Sequence, residues 1–164
     1  MLTSHEYGIQ VVAAASTRRE FTPLSDDFRG CDNAGNEIGF TNFYATINGR
    51  PTYMVMGEFL FSRVEPWQWE DELIKLKAGG VNVVSFYLYW NLHEPVEGEW
   101  HFEGRGDVRR FVQLIAKHGL YAVTRIGPYV HSEWRNGGLP DWLFGQPYEV
   151  REVNDGFLKA VKRF

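Results

Sequence analysis

The chain has 164 residues, enough for one domain with a real core, and 44% of them are apolar, which marks an ordinary globular protein and not a disordered one. Its net charge is −4 with no basic stripe, so nucleic acid is an unlikely partner, and its single cysteine, Cys31, excludes an internal disulfide framework and gives no sign of a thiol metal site. No apolar run approaches the roughly 18 residues that a membrane helix needs. Val11 to Ser16, VVAAAS, is short and is preceded by Glu6 with no Lys or Arg, a poor signal peptide. No membrane partner is expected, and a cytoplasmic location is the default.

In chain order, residues 1–42 show little period. They read as an extension of unclear structure, turn-rich at Ser25-Asp26-Asp27 and from Asp32 to Asn36. The stretch FYATINGRPTYMVMGEF reads as two strands around Asn48-Gly49, a hairpin signal. Met54 to Gly57 is a short apolar strand. Pro66 suits a first helical turn, and Trp69, Leu73, Leu76 and Gly80 follow at helical spacing, so one amphipathic helix with a glycine stop is predicted. Val81 to Trp90, VNVVSFYLYW, is a strand too apolar to face water. Asp107 can cap a second helix with a face of Val108, Phe111, Val112 and Ile115, ending at Gly119. Tyr121 to Ile126 is the next buried strand, stopped by Gly127-Pro128. A last helix begins near Asn154 or Asp155, with Phe157, Leu158 and Val161 as its stripe.

Buried strands alternating with amphipathic helices predict an α/β fold with a parallel sheet. No Gly-x-Gly-x-x-Gly or P-loop pattern follows any strand, which weakens a nucleotide-binding reading. The polar and aromatic residues cluster just past the strand ends, where both (β/α)8 barrels and open α/β sheets keep their sites. A complete barrel takes about 250 residues. Only three strand–helix units are visible, so the chain looks cut.

Two loops carry candidate chemistry. In WNLHEP, Trp90 to Pro95, the residues Asn91, His93 and Glu94 are hydrogen-bonding groups for a polyhydroxylated ligand, or else Glu94 bonds backbone amides while Pro95 fixes the turn. The structural reading is preferred for His93 and Glu94, and the zinc motif His-Glu-x-x-His is absent. Tyr87, just before that loop, is either a phenol that reaches a ligand or a core tyrosine. In RIGPYVHSEWRNGGLPDW, Gly137-Gly138 permits a sharp turn and Glu133 is displayed between Ser132 and Trp134. A carboxylate there can accept two hydroxyl hydrogen bonds from one sugar, and the competing reading is an ion pair with Arg125, Arg135 or Arg63. His131 and Ser132 add a donor or expose backbone. The aromatic content of 16%, with six Trp and eight Tyr, fits either sugar stacking or a filled core.

Taken together, GEFLFSR, WEDELIKLKAGGVNVVSFYLYWNLHEP and RIGPYVHSEWRNGGLPDW resemble the N-terminal part of glycoside hydrolase family 35, the β-galactosidases. The resemblance runs over residues 43–164, and RNGGLPDW looks closest to bacterial members. It implies a (β/α)8 TIM barrel, of which only the first three or so βα units are here. It also implies retaining hydrolysis of terminal β-galactosides by two glutamates, an acid/base on the fourth strand and a nucleophile on the seventh. Neither of those motifs is in this sequence, so no catalytic residue is assigned. The chain alone is expected to be inactive and to need the remainder of the barrel for a complete site. What carries over is a galactose-binding wall of Tyr87, His131, Ser132 and Glu133, with no metal and no cofactor implied. Leu60 stands where the family usually has histidine, and Ser132 where alanine or glycine is common, which bears on linkage and aglycone preference. The alternative is a non-catalytic carbohydrate-binding module or a degraded remnant of the family.

Overall fold

The computed structural model describes residues 22–26, 29–32, 34–131 and 134–164. The VVAAAS segment, Ser132 and Glu133 therefore lie outside the described residues. The chain forms two units, one ending at Tyr53 and the other running from Met54 to Phe164.

The first unit holds four short strands, β1 (Gly30–Cys31), β2 (Glu37–Phe40), β3 (Ala45–Ile47) and β4 (Arg50–Thr52), paired in that order and all antiparallel. The hairpin at Asn48-Gly49 is as predicted. Both residues have positive φ, 51° and 73°, which a two-residue turn of the primed type requires. Asp32 makes the β1–β2 turn by accepting from the amides of Ala34 and Asn36 at 2.9 and 2.8 Å. β1 and β2 were not visible as strands in the sequence. Only Gly39 is buried in β2 and nothing is in β1, so no alternation of apolar residues marks them.

The second unit alternates strand and helix. β5 (Met56–Glu58), β6 (Val83–Tyr87) and β7 (Tyr121–Arg125) form a parallel sheet with β6 in the middle. Gly57 pairs with Val84, Val84 with Ala122 and Tyr87 with Arg125. The connections carry α1 (Trp69–Ala78), the one-turn α2 (Trp90–His93) and α3 (Val108–Lys117), and α4 (Asp155–Arg163) follows β7 after a long loop. Asp107 caps α3 by accepting from Arg110 N at 2.9 Å, and Asn154 caps α4 by accepting from Phe157 N at 2.8 Å. α1 starts at Trp69, later than Pro66 suggested, because Pro66 to Gln68 make a turn first. The Trp69 indole then donates to the carbonyls of Phe61 and Val64, which ties the segment after β5 to the helix start.

Side-chain alternation on β6 divides its residues between two faces. Val84 and Phe86 join Phe59, Phe61, Trp69, Leu73, Phe111, Ile115 and Leu120 in the core beneath α1 and α3. Val83, Ser85 and Tyr87 take the opposite face, and all five residues of the strand are buried. Phe111 is the centre of that core. Its ring stacks on Phe61 at 4.6 Å and meets Phe59, Trp69 and Phe86 edge-on at 5.2–5.5 Å.

Two expectations need correction. β7 is not buried: Ala122 to Arg125 are exposed, because among the described residues nothing pairs with its outer edge. The apolar strand expected at Met54 to Gly57 is shifted to Met56–Glu58, and Met56 is exposed on the other edge of the sheet.

Removal of the central ring should be costly. Phe111→Ala is expected to lower the unfolding free energy by about 3–5 kcal/mol, seen as a fall in urea midpoint at unchanged slope. A loss below about 1 kcal/mol would mean that the core does not rest on this ring.

Candidate functional site

The last residues of the three parallel strands are Glu58, Tyr87 and Arg125. They share one face, because Glu58 is in register with Ser85, and Tyr87 with Arg125. Arg125 donates from Nη1 to Glu58 Oε2 at 2.8 Å, and its guanidinium carbon lies 4.0 Å from the centre of the Tyr87 ring. Tyr87 is buried. It packs with Tyr89 and Val130 in a small cluster completed by Leu60, Leu92 and Trp134. Tyr87 stacks beside Tyr89 at 5.7 Å, and Tyr89 lies flat on Trp134 at 4.2 Å. Arg63 covers Trp134 from 5.6 Å.

The loop after β7 is pinned on both sides of residues 131–133. Val130 N donates to Gly137 O at 2.8 Å, and Gly137 N to Trp134 O at 2.9 Å. Gly137 sits at φ 62°, and a Cβ there would fall 2.0 Å from the Tyr129 ring. The turn thus needs glycine for its conformation and for the close approach of Tyr129. His131 has φ 44° and is exposed, with its ring 5.8 Å from that of Tyr129. The structure thus brings Tyr87 together with Val130 and Trp134, which border the expected site segment. It sets His131 beside Tyr129 instead. Two of the three arginines weighed as partners for Glu133 have other carboxylates: Arg125 bonds Glu58, and Arg135 lies 3.0 Å from Asp141.

Sequence reasoning passed over Tyr89, Trp134 and the Glu58–Arg125 pair as neighbours of Tyr87. Tyr89 carried a signal, since it stands two residues after Tyr87. The ion pair joins residues 67 apart, and only the strand register reveals it.

The WNLHEP segment is not an open loop. Trp90–His93 forms one helical turn, and its end is fixed by a buried carboxylate. Glu94 is fully buried. It accepts from the Trp90 indole at 2.7 Å, from Gly98 N at 2.6 Å and from Arg163 of α4 at 2.5 Å. Its own carbonyl accepts from the Trp142 indole at 3.0 Å. This is the structural reading of Glu94, with an arginine added. His93 is buried too, stacked 4.9 Å from Phe102, and its Nδ1 lies 3.0 Å from His101 O. A carbonyl can only accept, so Nδ1 carries the proton and Nε2 is bare, with no partner. Burial is the main cause that holds the His93 pKa below its ordinary value of 6.5. Asn91 donates to Arg135 O at 3.1 Å and so ties α2 to the loop after β7.

Among the described residues no group of three His, Cys, Asp or Glu side chains could hold a metal ion, and no helix is long and apolar enough to cross a membrane. A groove of about 530 Å³ lies along α4, between Glu97, Gln146, Tyr148, Lys159 and Arg163. None of its lining residues belongs to the Tyr87 cluster.

The sequence profile of "Glycosyl hydrolases family 35" matches residues 44–164, and the chain belongs to that family. Curated relatives include "Beta-galactosidase 11" of Oryza sativa subsp. japonica, 40% identical over 131 residues, and "Beta-galactosidase 13" of Arabidopsis thaliana, 36% identical over 129 residues. These alignments cover 79% and 78% of this chain but only 15% of each relative. The chain therefore spans about one-sixth of the length of the curated relatives it matches. The bacterial affinity expected from RNGGLPDW rests on that segment alone. Among solved structures, the "Exo-beta-1,4-mannosidase Op5Man5 from Opitutaceae bacterium strain TAV5" superposes with a TM-score of 0.53 at 16% identity, covering 85% of this chain and 24% of the other, a likeness of fold.

Two measurements check the buried polar groups. Glu94→Gln leaves an amide where three donors converge, and should cost about 2–4 kcal/mol of stability by urea titration; a neutral outcome would show that the carboxylate charge is not needed. For His93 the folded pKa is depressed, so below pH 6.5 the unfolded chain binds a proton that the folded chain refuses. Stability should fall with pH from that point down to the lowered pKa. His93→Gln should remove up to one proton from the slope; an unchanged slope would mean that His93 titrates alike in both states.

Proposed function

We propose that this chain supplies the first three strand–helix units of a (β/α)8 catalytic barrel in a retaining β-galactosidase, and that it carries part of the galactose-binding wall. The observation that supports this most is the family match over residues 44–164, joined by 36–40% identity to proteins named beta-galactosidases. Tyr87, His131, Ser132 and Glu133 are the sugar-binding residues in this reading, with the carboxylate of Glu133 accepting from two hydroxyls. Catalysis belongs to two glutamates elsewhere in the barrel. Retention needs their carboxyl groups about 5–5.5 Å apart, so that one attacks the anomeric carbon while the other protonates the leaving oxygen. The chain by itself is inactive, and the substrate is a terminal β-galactoside that completes its contacts only when the rest of the barrel is present.

The parallel order β5-β6-β7 supports the barrel reading, since successive strands are neighbours in such a barrel. Among the described residues both outer edges of this sheet are unpaired, and further strands would add there. Leu60 packs with the Tyr87 cluster, so an apolar side chain borders the wall where the family usually has an imidazole.

Full-length protein is expected to hydrolyse 4-nitrophenyl β-D-galactoside and to release β-galactose first, as seen by NMR of the anomeric proton. Glu133→Gln should lower kcat/KM on the order of 100-fold, because hydroxyl contacts that tighten in the transition state are weakened. A full-length protein inactive on every aryl β-galactoside would favour the carbohydrate-binding or remnant reading instead.

A further inference from the structure

We infer that Arg125 and Glu58 are a positioning pair for Tyr87, fixing its ring so that the tyrosine meets a neutral pyranose in one orientation. The inference rests on the sugar-binding reading of the strand ends, and it adds two residues that the resemblance did not supply.

The geometry follows from register. Glu58 ends β5 opposite Ser85, and Arg125 ends β7 opposite Tyr87. β6 lies between them. An ion pair joining Glu58 to Arg125 therefore passes over β6, on the face that carries Ser85 and Tyr87. The guanidinium that makes this span lies 4.0 Å from the centre of the Tyr87 ring, which is direct contact, and bonds Glu58 at 2.8 Å. Tyr89 packs beside the same ring, and Trp134 lies flat on Tyr89. The phenol is thus confined by a charged plane and by an aromatic row that ends in the loop after β7.

Chemistry selects arginine for this place. A guanidinium is planar, stacks on a ring and still donates sideways to a carboxylate, whereas an ammonium cannot do both with the same geometry. Glu58 keeps the guanidinium over Tyr87 and cancels its charge, which suits an uncharged sugar. Arg125 and Glu58 are 46% and 45% exposed, while Tyr87 is buried to 7%. An ion pair so exposed adds little to stability, so its effect should be read in ligand handling.

The test is a set of variants of the full-length protein, assayed on whichever 4-nitrophenyl β-glycoside (galactoside, glucoside or mannoside) it turns over fastest. Arg125→Lys keeps the charge and is expected to raise KM about 3- to 10-fold with kcat within about twofold. Glu58→Gln should act in the same direction. The cost of Arg125→Lys should persist in a Tyr87→Phe background, where the ring remains, and should shrink to under about 1.5-fold in Tyr87→Leu, where it is gone. Equal costs in both backgrounds would overturn the inference, because Arg125 would then act independently of the ring. A second readout needs no turnover: the Arg125 Nε–H proton should be shifted upfield by the ring and return toward the usual position in Tyr87→Leu, and no such change would also overturn it. Activity on a glycoside other than the galactoside, with the coupling intact, would refute the proposed substrate and leave the positioning pair standing. A protein that turns over none of the three would refute the enzymatic reading, and the Nε–H shift alone would then sustain or overturn the positioning pair.

Discussion

The arrangement beyond β6 depends on one buried carboxylate. Glu94 has no exposed surface, yet it accepts from an indole, a backbone amide and an arginine of the last helix. Each donor comes from a different piece of chain: the one-turn helix, the segment that follows it, and α4. The desolvation cost of such a group is large, and it is offset only because the donors converge. Asn91 then bonds Arg135 O and Trp142 bonds Glu94 O, so the loop after β7 is fastened to the same point. The stack of Tyr89 on Trp134 sits on that fastened loop. The wall around Tyr87 is thus supported from behind by polar contacts as well as by apolar packing.

Much of the fold was legible in the sequence, for local reasons. The helical spacing of Trp69 and Leu73, and of Phe111 and Ile115, matches the residues that α1 and α3 bury. Asp107 and Asn154 cap the helices that their side chains suggested. Asn48-Gly49 could only be a tight turn. These features depend on a few neighbouring residues, and the sequence displays them directly.

The rest depends on partners far along the chain. The exposure of β7 could not be read from YAVTR, because burial of a strand is decided by what lies beside it. The one-turn helix at Trp90–His93 is too short to show a period, and its anchor, Arg163, is 69 residues from Glu94. The candidate site was legible in part. Tyr87 lies on β6 as expected, but it is the last residue of that strand, which spans Val83–Tyr87 and not the expected Val81 to Trp90; it contacts residues that border the loop of Glu133. Tyr89 and Trp134 had been visible only as aromatics, and the pairing of Glu58 with Arg125 only as two charges at strand ends.

The alternation along β6 has a further consequence, for how this architecture can diversify. Val84 and Phe86 answer to the helices, whereas Ser85 and Tyr87 answer to whatever lies over the sheet. Adjacent residues on one strand are therefore under separate constraints. A change at Ser85 acts first on the face beneath the Glu58–Arg125 pair, whereas a change at Phe86 acts first on the aromatic core around Phe111. The strand is thus a partition between two packing environments, and a substitution on it is felt first on the side to which its side chain points.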